Sequence, residues 1–193
     1  MTTKIDPNAN VDAYIALDGV EHINIYSKGK TSLGRKLSHF TRTPFIHPHY
    51  GPFDSMEGFW YWLRSPKRDD TLRNLSGKEA KDYGKKLPKG FYPEFWEDIQ
   101  AANYQKVIQH PDIMQMLVDS ELPFQHYYVF YPRRADHVNL HNSQRIIIFP
   151  RDHEVLCGGV EDLRQALREG RPTKAWEESE KRYIARISNQ GKA

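Results

Sequence analysis

One stretch couples an acid to a dense aromatic run: Asp54-Ser55-Met56-Glu57-Gly58-Phe59-Trp60-Tyr61-Trp62-Leu63-Arg64. Pro52 and Asp54 break the preceding chain, Asp54 or Ser55 can cap a first helical turn, and Glu57 stands three residues after Asp54 as in a capping box. A helix that is apolar nearly all round is buried or walls a pocket. A carboxylate at its mouth is either a cap or a catalytic group, and one residue can do both jobs. As a cap alone, Glu57 is worth about 1 kcal/mol or less.

Other chemistry-bearing patterns are weaker. The single cysteine, Cys157, excludes an internal disulfide framework and a cysteine-based zinc site, and beside Gly158-Gly159 it reads as packed rather than nucleophilic. Gly29-Lys30-Thr31 imitates the end of a phosphate loop, but the required earlier glycine is Asn24. His47 and His49 lack a third ligand at a convincing spacing, and so do His137 and His141, four apart in a polar segment. No metal site and no cofactor is expected.

The elements that must position Glu57 follow from periodicity and punctuation. The 193 residues are expected to form one α+β domain, predominantly helical with a few short strands, its core spanning about 22–150. Residues 1–20 read as an irregular lead-in, 22–27 as a strand, 28–40 as a loop with at most one helical turn, and the proline-rich 43–53 as an extended connection. Ser76-Gly77-Lys78-Glu79 opens a short helix, Pro93 a longer one carrying Phe95, Ile99, Ala102 and Lys106, and Pro111 a third. His126–Tyr131 and Arg145–Pro150 read as strands that could pair antiparallel, with a polar loop between them, 160–169 as a short amphipathic helix, and 170–193 as a charged helical tail resting loosely on the rest. No apolar run approaches a membrane span and the N-terminus has no signal-like core, so the expected location is cytoplasmic. A formal charge of +3, gathered in small clusters such as Arg35-Lys36 and Lys85-Lys86, is compatible with a phosphorylated ligand or nucleic acid without requiring either.

Four segments in order resemble the NADAR (YbiA-like) family. They are Ile23-Asn24-Ile25-Tyr26-Ser27 with Ser38-His39-Phe40, then Asp54-Ser55-Met56-Glu57, then residues 76–85, then Lys106-Val107-Ile108-Gln109-His110-Pro111-Asp112-Ile113 with Met116-Leu117-Val118. The resemblance covers roughly 22–131. The departures are specific: His39 stands in place of the asparagine of S-N-F, Gly58 in place of a histidine, Arg64 at a lysine position, and the usual aspartate near W-G with its glycine-rich turn is not visible.

The resemblance implies an N-glycosidase, a hydrolase cleaving the ribose C1–N bond of an ADP-ribosyl or related nucleotide, such as ADP-ribosylated guanine or a riboflavin-pathway intermediate. Such a reaction passes through an oxocarbenium-like state that a carboxylate stabilises, and a lysine can instead trap the opened sugar as a Schiff base. Glu57, Lys106 and Lys81 are then the expected catalytic residues. Tyr26, Ser38, Phe40, Arg64 and Trp96 are the expected ligand contacts, with Trp96 as a stacking platform. The expected partner is a nucleotide-sugar-like small molecule or ADP-ribosylated nucleic acid, with no membrane and the oligomeric state left open. Arg64 stays protonated and forms no Schiff base, which keeps open a catalytically altered ADP-ribose- or NAD-binding module, or a small phage-type interaction protein.

Overall fold

The computed structural model describes residues 6–131 and 145–190. The polar segment with His137 and His141 lies outside the described residues. The chain is α+β with helices dominating, and its hub is one helix, α5 (Phe95–Ile108). Buried positions run all round α5: Ile99 and Ala102 face one apolar core, Val107 faces another, and Asp98, Asn103, Gln105 and Lys106 are buried too. A helix buried on every side must satisfy its polar side chains within the protein, and those polar groups turn out to hold the neighbouring elements in place.

On one side of α5 lie the antiparallel hairpin β2–β3 (Phe45–His47, Gly51–Phe53), α3 (Met56–Arg64), a 3-10 turn (Asp70–Asn74) and α4 (Gly77–Gly84). Phe45, Phe53, Met56, Phe59, Trp62 and Leu72 form the core there. On the other side, β1 (Ile23–Asn24) pairs in parallel with β4 (Phe124–Gln125), and α2 (Ser32–Leu37), α6 (Pro111–Asp119) and α7 (His153–Arg168) close over Ile25, Leu37, Ile113, Leu117, Val160 and Leu163. A second antiparallel hairpin, β5–β6 (Tyr128–Phe130, Ile146–Ile148), joins Tyr128 to Ile148 in register.

Several expectations are corrected. The irregular lead-in contains α1 (Val11–Ala16), capped by the Asn10 side chain on Ala13 N–H. The strand expected over 22–27 is ladder-paired at only two residues, because its partner β4 is equally short. The expected loop over 28–40 includes the full helix α2, capped by Thr31 on Gly34 N–H. The proline-rich connection is the β2–β3 hairpin: Pro52 pairs with Ile46, and the side chain of Gln109, just past the end of α5, takes both backbone groups of Ile46 at 2.8 Å where another strand would otherwise pair. Helix α7 begins at His153, well before the expected 160. The tail forms α8 (Lys174–Gln190), which is docked on α5 rather than loose: Asp98 accepts from Ser179 Oγ and Arg182, each at 2.8 Å, and Arg182 also pairs with Glu97. Among the described residues no helix is long and apolar enough to cross a membrane.

Candidate functional site

Helix α3 starts at Ser55, whose hydroxyl accepts from Gly58 N–H at 3.0 Å and donates to the Leu75 carbonyl at 2.8 Å. Ser55 is therefore the cap, Gly58 occupies the third helical position, and Glu57 lies at the second, outside the reciprocal bond of a capping box. Glycine at 58 has a steric reason: a Cβ there would overlap the Leu72 carbonyl oxygen of the 3-10 turn. Freed from capping, Glu57 points its carboxyl into a cavity of about 520 Å³.

The cavity collects residues from distant parts of the chain. The segment after β1 supplies Tyr26 and Lys28, the segment after α2 supplies Ser38, His39 and Phe40, α3 supplies Trp60 and Tyr61, α4 supplies Lys81, and α5 supplies Trp96. The far wall is His126, Tyr128 and Phe130, with Ile148 and, at the start of α7, Asp152. Trp96 meets Trp60 edge-on with ring centres 5.0 Å apart, Tyr26 meets Tyr128 in the same way at 5.3 Å, and Lys81 Nζ lies 5.6 Å from the centre of the Phe40 ring. Flat aromatic walls with two lysines and two carboxylates suit a ligand with a planar ring and charged or hydroxylated parts.

The electrostatics are uneven. Burial pushes the Glu57 carboxyl up to about 7, with the Asp152 charge adding to the rise and Lys81 and Lys85 opposing it. A carboxyl group poised near neutrality can both give and take a proton at ordinary pH. His126 donates from Nδ1 to the Ile25 carbonyl at 2.6 Å, so in the neutral ring Nε2 accepts from the Tyr128 hydroxyl at 3.1 Å. Burial lowers the His126 pKa, and burial with the carboxylates of Asp152 and Glu57 pushes the Tyr128 phenol up to about 12, which keeps this pair neutral.

Six of the expected residues, Glu57, Lys81, Tyr26, Ser38, Phe40 and Trp96, meet at the cavity; Lys106 and Arg64 do not line it. Lys106 is sealed inside, 1% exposed, with Nζ donating to the Leu37 and Ser38 carbonyls at 3.2 and 3.4 Å. Burial brings its pKa down to about 7. It braces the wall that Ser38 belongs to and touches the cavity only through that wall. Arg64 ends α3 and lies 5.8 Å from the Phe95 ring centre, remote from Glu57 by two helical turns. The segment Lys106–His110 is thus a clamp: Lys106 holds the end of α2, Gln109 holds β2, and His110 Nε2 lies 2.7 Å from the Pro44 carbonyl.

Sequence reasoning missed His126, Tyr128, Asp152 and Asn103. The i, i+2 spacing of His126 and Tyr128 puts both on one face of an extended segment and was a usable signal. Asp152 looks like any helix cap, yet its side chain makes no cap bond. Nothing local marks Asn103, whose amide donates to His39 Nε2 at 3.1 Å.

No family model matches the chain, and no curated protein matches it. Among solved structures, the NMR structure of the E. coli protein YbiA matches with a TM-score of 0.55 at 15% identity, over 78% of this chain and 86% of that one. The chain has a YbiA-like fold. At this identity the likeness speaks to the fold, and the chemistry of the cavity rests on this chain's own residues.

Proposed function

We propose that the chain is an N-glycosidase that cleaves the ribose C1–N bond of an ADP-ribosyl or related nucleotide. The observation that carries the reading is Glu57: a half-buried carboxyl near neutral pKa, released from helix capping and facing an aromatic cavity that also holds Asp152. As C1–N breaks, its electron pair leaves with the base nitrogen, which takes a proton, and positive charge grows on the ribose ring. Protonated Glu57 can supply that proton, and Asp152 offers negative charge to the ring and can receive the proton of the attacking water. The water oxygen bonds to C1, giving free base and free sugar. Trp96 and Phe40 stack planar parts of the ligand, Lys81 and Lys28 meet phosphates, and Tyr26 and Ser38 contact hydroxyls. Lys106, sealed behind Ser38, supports the wall and does not enter the reaction. The YbiA-like fold and the four family-like segments add weight to this reading.

The test is incubation of the full chain with ADP-ribosylated guanosine, ADP-ribosylated DNA and phosphorylated riboflavin precursors, following base or sugar release by chromatography. Release abolished in Glu57→Gln supports the proposal. Release no greater than that variant's on every substrate rejects it, and calorimetric binding of ADP-ribose without turnover would then assign the cavity to recognition alone.

A further inference from the structure

His39 is the cavity residue where this chain leaves the S-N-F pattern, and its surroundings determine how it can act. Asn103 donates its side-chain N–H to Nε2 at 3.1 Å, so Nε2 is the accepting nitrogen and the single proton of a neutral ring sits on Nδ1. The backbone of the same residue is pinned as well. Its carbonyl accepts from Glu57 N–H at 2.9 Å, and the preceding carbonyls of Leu37 and Ser38 accept from Lys106 Nζ. Asn103 and Lys106 lie one turn apart on α5, so one face of a buried helix fixes both the ring and its backbone. Among the described residues no protein acceptor meets Nδ1, and that atom is not sealed from solvent. The ring stays neutral because burial and the Lys106 ammonium together push its pKa down to about 3.

We propose that His39 is a specificity residue: an imidazole whose Nδ1–H, set by Asn103, reads an uncharged acceptor on the edge of the ligand's planar ring, a carbonyl oxygen or ring nitrogen. A neutral donor discriminates against analogues that lack the acceptor, because a bound ring that covers the N–H without pairing it takes away its water and gives nothing back. A ring that never becomes imidazolium is a poor phosphate partner, which leaves the phosphates to Lys28 and Lys81. The assignment rests on the reading of the cavity as a nucleotide site, and its tests need no turnover.

The tautomer is measured directly on the 15N-labelled full chain by long-range proton–nitrogen correlation, with the His39 signal identified by its loss in His39→Asn. The expected pattern is a protonated Nδ1 and a bare Nε2, unchanged from pH 5 to 8. A protonated Nε2, or titration within that range, overturns the proposal. The ligand half is tested by calorimetry with guanosine and with 2-aminopurine riboside, the same ring without the carbonyl. Wild type is expected to prefer guanosine at least about tenfold, His39→Asn to keep part of the preference through its own amide N–H, and His39→Phe to lose it. Equal binding of the two nucleosides, or binding of neither, overturns the assignment. A glycosidase that fails these tests keeps its activity, and a passive binding protein can still pass them, so the two proposals fail separately.

Discussion

Replacing Glu57 by glutamine is expected to stabilise the protein while removing the proposed chemistry. The carboxyl rises from an ordinary 4.5 to about 7 in the folded chain, chiefly through burial. A rise of about 2.5 pH units at about 1.36 kcal/mol each corresponds to about 3.4 kcal/mol against the folded, ionised form. Glu57 borders an open cavity, and solvent screening reduces that ceiling to about half, or about 1.7 kcal/mol. The sign follows from proton counts. Between pH 4.5 and about 7 the unfolded chain has lost the proton while the folded chain keeps it. Stability therefore falls as pH rises through this window. Glutamine is nearly isosteric, carries no charge to desolvate and breaks no side-chain hydrogen bond of Glu57 among the described residues. Thermal unfolding of both proteins at pH 8 and pH 5 measures the difference. At about 2–4 °C per kcal/mol for a chain of this length, the variant should melt about 3–7 °C higher at pH 8 and within about 2 °C of wild type at pH 5. A loss of stability at pH 8, or an equal gain at both pH values, refutes the view of Glu57 as a desolvated carboxyl held at a cost to the fold.

Lys106 supplies the opposite slope. Its folded pKa is about 7 against an ordinary 10.5, so across that range the unfolded chain holds the extra proton and stability rises with pH; chemical denaturation at pH 7 and pH 9.5 should show this rise in wild type and a flatter profile in Lys106→Met. At pH 9.5 the same variant should be less stable by about 1–3 kcal/mol, because the Leu37 and Ser38 carbonyls lose their buried donor. Asp98→Ala is expected to cost about 1–3 kcal/mol, since it leaves the Ser179 and Tyr92 hydroxyls without their buried acceptor and Arg182 with Glu97 alone at the α5–α8 contact, and limited proteolysis should then cut first within α8; cleavage elsewhere with α8 intact contradicts the docking. The Asp98 pKa is lowered, so this contribution is present above its ordinary 3.8 and is lost as pH falls through the lower folded value. Gly58→Ala should destabilise by about 1–3 kcal/mol by pushing a methyl group against the Leu72 carbonyl, an effect that differential scanning calorimetry resolves and whose absence would show that the 3-10 turn yields freely.

The helices were the most legible part of the chain because their signals are local. Ser55 before Met56 and Pro111 at a first turn announced α3 and α6 by capping and φ restriction, and Ser76 before Gly77 marked the start of α4 although its side chain makes no cap bond. The strands were less legible, since β1 and β4 are two residues each and exist only through pairing about a hundred residues apart in sequence. The β2–β3 hairpin was hidden by its prolines, which tolerate an edge completed by the Gln109 side chain.

For the site, the sequence by itself determined residue types and order: an acid at the start of an aromatic helix, a lysine on the next helix, a tryptophan on the one after, and four segments resembling the YbiA-like family, whose fold the chain has. Periodicity cannot report where a side chain ends when a buried helix serves several neighbours. That is why Lys106, a candidate catalyst in sequence, is a brace in space, and why Asn103 carried no signal at all. It also cannot choose between two adjacent caps. Only the tertiary structure decided that Ser55 caps α3, which turns Glu57 from a helix-end residue into a desolvated carboxyl sharing a cavity with Asp152, because a pKa near neutrality is a property of the cavity and not of the residue.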